Sequence, residues 1–283
     1  TSIRNEIGTA PGWWVKKFNK DIIAMPGPPR EMHEMWRNHI YPKLEESYSG
    51  FLIYTLNIRT HGLGESGLNE RVSGILQDFG LDWGMYAQPF GVDIRLRLRS
   101  PSQEEAKKSL STVEAKLNDV IGNFIWGLGY KTVEERVAEC LVDNKLTVSV
   151  MESCTGGLLS NTLTQIPGSS NYFEGGLVTY TPEMKKLFGV DKFLINQYGT
   201  VSAEVAMDMS RTVRKLLGSD IGLSVTGVAG PDKLENKPVG TVFIGLSSSE
   251  GTSYINREFA QQRAVVKQRA TTEALMYLLN FVR

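Results

Sequence analysis

Hydrophobic and polar residues alternate most clearly in residues 128–283, where helix-like and strand-like segments follow one another. Apolar positions at helical spacing predict helices at about 132–144, 202–217 and 263–281, and another after the turn ESCTGG through about Thr164. Apolar or alternating runs predict strands at 146–151, 173–180, 221–225, 239–246 and 253–259. Strands that alternate with helices predict an α/β sandwich centred on a sheet.

The pattern in residues 51–127 predicts a second, smaller unit. Residues 53–60 and 93–99 alternate between apolar and polar side chains, as half-buried strands do. One helix is predicted after the glycines of HGLGES. A longer helix is predicted from Pro101 through about Ile121, with acidic residues near the positive end of its dipole. Two strands and two helices in this order predict a small α+β layer of the split βαβ kind.

Residues 1–50 combine two turn-rich motifs, IGTAPG and MPGPPREM, with a short buried strand predicted at 21–25. Residues 30–46 have helical spacing, which Pro42 interrupts late. This pattern is typical of the closing strand and helix of an α/β domain. Because the chain opens on a glycine-rich turn with no strand before it, we expect a fragment that lacks most of this first domain.

Composition narrows the class of protein. The 283 residues suggest about two domains at roughly 150 residues each. Lys+Arg and Asp+Glu are both 31, so the chain has no overall charge to attract nucleic acid or an anionic membrane, and neither is expected as a partner. Two cysteines are too few for a disulfide framework, and no apolar run approaches the ~20 residues of a membrane span. We therefore expect a cytoplasmic protein.

The turn ESCTGG follows a predicted strand and opens a helix. Such a turn presents backbone N–H groups and a positive dipole end, Ser153 and Thr155 add hydroxyls, and Gly156 and Gly157 allow close approach. This arrangement suits a phosphate or a carboxylate. An ordinary N-cap by Ser153 or Thr155 explains the motif equally well. The Gly-Lys-Ser/Thr ending of a Walker A motif is missing.

A second turn, TGVAGP, begins at Thr226 and Gly227 after another predicted strand. In α/β sheets, ligands bind beyond the carboxyl ends of strands. The two turns are therefore candidates to converge on one cleft. Taken alone, TGVAGP reads more simply as a tight turn before an exposed loop.

Between these turns, PGSSNYFEGGLVTYTPEMKK supplies Ser169, Ser170, Tyr180 and Lys185. All three histidines precede residue 62, so a hydrolase in the later part has no Ser-His or Cys-His pair of its own. A lysine that loses water has a lowered pKa and can serve as a base for a serine. The simpler alternatives are a serine that caps a short helix and a solvated surface lysine.

Two further readings concern sulfur and metals in the last segment. Without a histidine partner, Cys154 reads as a small buried residue at a crowded turn. The segment has no HExxH, CxxC or paired-carboxylate signature, so we expect neither a metal nor another cofactor there.

Taken together, these motifs resemble the CinA family of competence- and damage-inducible proteins. Residues 128–283 are similar to its C-terminal domain through ESCTGG, PGSS, VTY with Lys185, GTVS, TGVAGP, KPVGT and Arg263. Residues 51–127 resemble its KH-type α+β domain, although a clear GxxG loop is missing. Residues 1–50 resemble the end of its molybdopterin-binding-like α/β domain.

The resemblance implies an amidohydrolase that converts nicotinamide mononucleotide (NMN) to nicotinate mononucleotide and ammonia, as stand-alone relatives of the C-terminal domain do. It implies Ser170 as nucleophile, Lys185 as its base and Tyr180 as their partner. Substrate-binding residues would be Ser153, Thr155, Gly156, Gly157, Thr226, Gly227 and Arg263. Arg263 and the start of the ESCTGG helix are both candidates for the 5′-phosphate. A homo-oligomer, a dimer or larger, is also implied.

Two other functions compete with this one. The family name suggests a scaffold or interaction protein in DNA uptake and recombination that does not turn over a substrate. The family's N-terminal domain is associated with metal-dependent ADP-ribose pyrophosphatase activity, which we would expect only of a complete domain.

Overall fold

The computed structural model describes residues 1–18, 20–47, 52–88, 91–259 and 262–283. The chain divides into two compact units, Thr1–Tyr54 with Arg97–Ser111, and Thr55–Leu96 with Thr112–Arg283. The predicted boundary between residues 50 and 51 lies outside the described residues. The division into segments 1–50, 51–127 and 128–283 remains a prediction.

The first unit contains a three-stranded antiparallel sheet in the order β1-β2-β3. Its elements in residues 1–47 are β1 Ser2–Ile3, β2 Gly12–Lys17, β3 Lys20–Ala24, α1 Pro29–Met35, a π-helical turn Trp36–Ile40 and α2 Tyr41–Ser47. Ile3, Met35 and Ile40 form its buried core. The predicted strand at 21–25 is confirmed as β3. The predicted helix at 30–46 is confirmed as three consecutive helical pieces.

The following segment forms a four-stranded sheet in the order β5-β6-β4-β7, together with two helices. Its elements are β4 Leu52–Thr60, α3 Glu65–Asp78, β5 Asp82–Gln88, β6 Gly91–Ser100, α4 Gln103–Ile121 and β7 Ile125–Leu128. The two predicted strands and both helices are confirmed. The sequence analysis missed β5 and β7, because β5 has no regular burial alternation and β7 has only four residues.

The last segment is built on a five-stranded sheet in the order β12-β11-β10-β8-β9. Its strands are β8 Val148–Glu152, β9 Phe173–Val178, β10 Ile221–Gly227, β11 Thr241–Ser247 and β12 Thr252–Glu258. Its helices are α5 Val133–Asp143, α6 Leu158–Thr164, α7 Pro182–Leu187, α8 Lys192–Tyr198, α9 Ala203–Leu217 and α10 Arg263–Val282. Strands β8, β9 and β10 are parallel, and β11 and β12 continue the sheet antiparallel.

Helices cover both faces of this sheet and make a three-layer α/β sandwich. On one face, α5, α6 and α10 bury side chains such as Leu141, Leu159 and Ala274 against the sheet. On the other face, α9 packs Val205, Met209 and Val213 in a separate cluster. Strand β8 is buried along its whole length, which is typical of a central parallel strand. The predicted sandwich is therefore confirmed.

All predicted strands and helices of this segment are present, and two short helices were missed. Helices α7 and α8 have six and seven residues, too few for a helical period to show in the sequence. Their starts are nevertheless encoded locally, because Thr181 and Asp191 cap them with side-chain oxygens. Helix α7 carries Lys185, the lysine of the candidate site.

Candidate active site

A cavity of about 380 Å³ opens at the carboxyl ends of β8 and β10. From β8 the sheet continues to β9 on one side and to β10 on the other, with α6 and α9 on opposite faces. Such a point, where the winding direction changes, is where α/β sheets bind ligands. The residues that line the cavity include Ser153, Tyr180, Thr200, Gly227, Glu235 and Arg263. The two glycine turns therefore meet at one cleft, as the sequence analysis allowed.

Ser153 and Lys185 are in direct contact at this cleft. Ser153 is the first residue after β8, and its backbone N–H donates to the carbonyl of Val225 at 2.9 Å. Lys185 lies on α7 with only 1% of its surface exposed. Its Nζ donates to Ser153 Oγ at 2.9 Å and to the carbonyl of Thr179 at 2.7 Å. A buried lysine is thus fixed against a serine that lines the cavity.

Burial lowers the pKa of Lys185 from its usual 10.5 to about 8, although the nearby Glu235 carboxylate acts in the opposite direction. Desolvation disfavours the charged ammonium, while the contact atoms are neutral oxygens. At a pKa of about 8, roughly a tenth of the side chains are neutral at pH 7. A neutral amine at 2.9 Å from a hydroxyl can accept its proton.

Ser170, the nucleophile that the resemblance implied, is not placed beside Lys185. It lies exposed in the 3₁₀ turn Ser169–Asn171, before β9 begins, whereas Lys185 follows the end of β9. The six residues of β9 separate the two ends of this strand by roughly 17 Å, at about 3.3 Å per residue. The serine that contacts Lys185 in the structure is Ser153, and the role of Ser170 stays a prediction.

Tyr180 and Arg263 form a second pair on the rim of the cavity. Arg263 is the first residue of α10, and its guanidinium donates to Tyr180 Oη at 2.8 Å and to the carbonyl of Gly230 at 2.7 Å. Tyr180 is 52% exposed and therefore faces solvent as well as the cavity. The structure brings Tyr180 to the site, but its hydrogen bond is with Arg263.

The start of the ESCTGG helix, one of the two candidates for the 5′-phosphate, is occupied by a carboxylate of the chain itself. The fully buried Glu152 accepts hydrogen bonds from the backbone N–H groups of Gly157, Leu159 and Ser160, at 3.0, 3.1 and 2.8 Å, and from Ser160 Oγ at 2.6 Å. An internal carboxylate thus occupies the positive end of α6. An external anion would have to displace it.

Of the other predicted binding residues, some line the cavity and some do not. Gly227 lines the cavity, whereas the Thr226 hydroxyl is buried and donates to the carbonyl of Thr200 at 2.7 Å. That bond already uses the hydroxyl proton of a residue that was expected to bind substrate. Thr155 is completely buried and is not part of the cavity lining. Gly156 is exposed at the turn.

Four residues that the sequence analysis did not select belong to the site or support it: Glu152, Thr200, Glu235 and Lys267. Lys267 lies one turn after Arg263 on α10, and its Nζ is 3.5 Å from where a side-chain carbon on Gly156 would lie. The i, i+4 spacing of two cations on one predicted helix was the available signal for it. For the other three residues, nothing in the sequence indicated that they lie at the site, because only the fold brings them there.

Sulfur chemistry is not indicated here. Cys154 is buried, and desolvation raises its pKa to about 12, beyond the lowering effect of Lys185 and Lys267. This agrees with the reading of Cys154 as a packing residue. In the ranges that the structure describes, no group of three or more His, Cys, Asp or Glu side chains could hold a metal ion. Within the same ranges, no helix has the length and apolarity needed to cross a membrane.

These features define a three-layer α/β protein with a serine–lysine pair at the switch point of its sheet. The chain belongs to the CinA family. Residues 130–282 match the model of the CinA C-terminal domain, and residues 55–127 match that of the damage-inducible protein CinA KH domain. The resemblance of the last two segments to the C-terminal and KH-type domains of this family is therefore confirmed, and that of residues 1–50 stays a prediction.

Relatives and solved structures agree with this membership. A Moorella thermoacetica protein named as competence-damage inducible is 39% identical over 99% of this chain and 68% of its own length. A CinA-like protein of Dictyoglomus thermophilum is 37% identical over 98% of this chain and 68% of its own. A CinA superfamily crystal structure from Klebsiella pneumoniae has a TM-score of 0.52 at 26% identity, and covers 54% of this chain and 98% of its own. The chain thus spans about two thirds of the length of the Moorella and Dictyoglomus relatives.

Proposed function

We propose that the C-terminal segment is a serine–lysine amidohydrolase whose substrate is NMN. The observation that carries the proposal is the 2.9 Å contact between Ser153 Oγ and the buried Nζ of Lys185. A lysine with a pKa of about 8 has the neutral fraction that a general base needs near neutral pH. The family membership supports this reading, while the relatives' names speak only of competence and damage.

The chemistry follows from these two side chains. Ser153 Oγ attacks the carboxamide carbon while Lys185 Nζ takes the hydroxyl proton. The tetrahedral intermediate then expels ammonia, which receives that proton, and an acyl-serine remains. Water attacks the ester, Lys185 takes the proton of the water, and that proton returns to Ser153 Oγ as nicotinate mononucleotide leaves. Bonds and protons balance over one turnover.

A backbone donor is available for the oxyanion. Ala229 lies in the turn after β10 and lines the cavity. Among the described residues, none accepts a hydrogen bond from its backbone N–H. We assign this N–H to the oxyanion in place of the Thr226 hydroxyl. A preorganised donor of this kind lowers the barrier by roughly 3 kcal/mol.

Two cations are suited to the 5′-phosphate. Arg263 uses two of its donors on Tyr180 and Gly230, and its five-donor fork leaves others free to contact a phosphate. Lys267 extends the positive surface by one helical turn toward Gly156. Because Glu152 occupies the start of α6, the phosphate is assigned to Arg263 and Lys267.

The decisive experiment is ammonia release from NMN by the parent chain and by Ser153→Ala and Ser170→Ala, with folding checked by circular dichroism. We expect Ser153→Ala to lose turnover by at least about a thousandfold and Ser170→Ala to retain it. The reverse order would restore Ser170 as nucleophile. A folded parent chain that releases no ammonia would refute the amidohydrolase and favour the interaction role.

A further inference from the structure

The loop at 232–238 forms one side of the cavity through Asp232, Lys233, Leu234 and Glu235. Leu234 and Lys237 exchange two backbone hydrogen bonds, of 3.2 and 2.8 Å. The two residues between them, Glu235 and Asn236, have positive φ angles of 52° and 60°. Such a tight turn normally uses glycine or asparagine at these positions. Glutamate is an unfavourable residue at such a position.

The Glu235 carboxylate is bound by three hydrogen-bond donors of the 199–202 segment. It accepts hydrogen bonds from Thr200 N at 2.8 Å, Thr200 Oγ1 at 2.7 Å and Val201 N at 3.1 Å. Gly199 has a φ of +80°, and a side-chain carbon there would lie 2.2 Å from Glu235 Oε2. The motif GTVS thus provides two backbone donors, one hydroxyl and the space for a carboxylate. We call these contacts the Glu235 latch.

The latch connects the loop to the wall of the cavity. The carbonyl of Thr200 accepts from Thr226 Oγ1 at 2.7 Å, and Thr226 precedes Gly227 in the cavity wall. Burial alone would raise the pKa of Glu235, but the hydrogen bonds from Thr200 and Val201 outweigh it and lower that pKa. The latch is therefore anionic at neutral pH. Its charge acts on Lys185 and favours the ammonium form.

We propose that Glu235 is a positioning residue that fastens the 232–238 loop to the 199–202 segment and thereby determines how tightly the cavity holds its ligand. The identity of the ligand rests on the proposed function, whereas the latch itself does not. Glu235 acts through the loop and through Thr200, and it takes no part in bond making.

The first test needs no activity. Amide hydrogen exchange of Thr200 and Val201 is measured in the full chain and in Glu235→Ala, Glu235→Gln and the control Glu250→Ala, which changes an exposed turn. We expect both amides to exchange at least about tenfold faster in Glu235→Ala, an intermediate effect in Glu235→Gln, and none in the control. Unchanged exchange in a folded Glu235→Ala would overturn the latch.

The second test separates positioning from general stability. Glu235→Ala should raise KM for NMN by about tenfold, the loss of roughly one charged hydrogen-bonded anchor, with a smaller change in kcat. Glu235→Gln keeps the shape and removes the charge. The midpoint of its pH–rate profile should move to lower pH, because Lys185 loses a neighbouring anion.

Other groups near Lys185 stay the same in that comparison. The Cys154 thiol is neutral over the range because burial raises its pKa to about 12, and Glu183 and Lys186 on the same helix are exposed. An unchanged KM in Glu235→Ala would refute the positioning role, and an unmoved midpoint in Glu235→Gln would refute the effect of its charge on Lys185. If the parent chain releases no ammonia, the proposed function fails, and hydrogen exchange still decides on the latch.

Discussion

Replacing Lys185 by methionine tests the central proposal about the site, because it removes the proposed base and keeps a long unbranched side chain. Lys185 is 1% exposed, and burial lowers its pKa from 10.5 to about 8. The buried ammonium therefore destabilises the fold at pH 7. A shift of this size corresponds to about 3 kcal/mol. The variant also loses the hydrogen bonds to Ser153 and Thr179, and each loss lowers the free energy of unfolding by about 1 kcal/mol.

The expected net effect is a Lys185→Met chain that is more stable than the parent by about 1 kcal/mol at pH 7, yet inactive. The pH dependence has a definite sign. Below pH 8 the lysine is protonated in both the folded and unfolded states, so the cost of the buried charge is complete. Between about pH 8 and 10.5 the unfolded chain binds more protons, and the stability of the parent rises with pH. The advantage of the variant should disappear over that interval.

Urea unfolding at pH 7 and at pH 10 measures this effect, with Lys186→Met as the matched control, since Lys186 is exposed on the same helix. The rate of ammonia release by the parent gives an independent measure. With a pKa of about 8, the neutral fraction rises roughly fivefold from pH 7 to pH 8 and levels off above pH 9.

Two results would refute the reasoning about Lys185. One is a Lys185→Met chain that loses several kcal/mol at pH 7, because the ammonium would then stabilise the fold. The other is a parental rate that is constant from pH 7 to pH 9, which would exclude a lysine that titrates near 8 as the base. The Lys186→Met control should follow the parent in both measurements.

Two further predictions concern the surroundings of the pair. Glu152→Ala leaves three backbone N–H groups at the helix start without their acceptor and should lower the free energy of unfolding by about 3 kcal/mol or more. Urea unfolding measures this change, with Glu174→Ala as a control at an exposed site. A loss below about 1 kcal/mol would contradict the capping role. Lys267→Ala should raise KM for NMN by about tenfold and leave KM for nicotinamide riboside unchanged, since the riboside lacks the phosphate. Steady-state kinetics with both substrates measures the two values. An equal rise in both KM values would exclude a phosphate contact.

Much of the sandwich could be predicted from sequence because its signals are local. Helix α9 has a capping serine at Ser202 and a left-handed glycine at Gly218, and its apolar spacing matches the face that packs on the sheet. Strand β8 is a short apolar run between polar turns. Helices α7 and α8 are shorter than two helical periods, so their apolar residues carry no readable pattern and only the caps mark them.

The membership of the site was harder to predict than its location. The chemistry-bearing motifs were visible in the sequence, but the resemblance paired Lys185 with Ser170. A residue that precedes a strand and a residue that follows it lie at opposite ends of that strand. Ser170 precedes β9 while Ser153 follows β8, and only the parallel register of β8 and β9 places Ser153 beside the residues that follow Val178. That register is a long-range property.

The sequence by itself determined the family, the order of the elements and the residue types available for chemistry, because these depend on local spacing and composition. The tertiary structure decided which of those residues meet. It placed Glu152 inside the helix start that looked like an anion site, Glu235 in the receptor of the GTVS motif, and Lys185 against Ser153. Burial, and with it the pKa of the lysine, arises only when distant segments pack together, so no local pattern could reveal it.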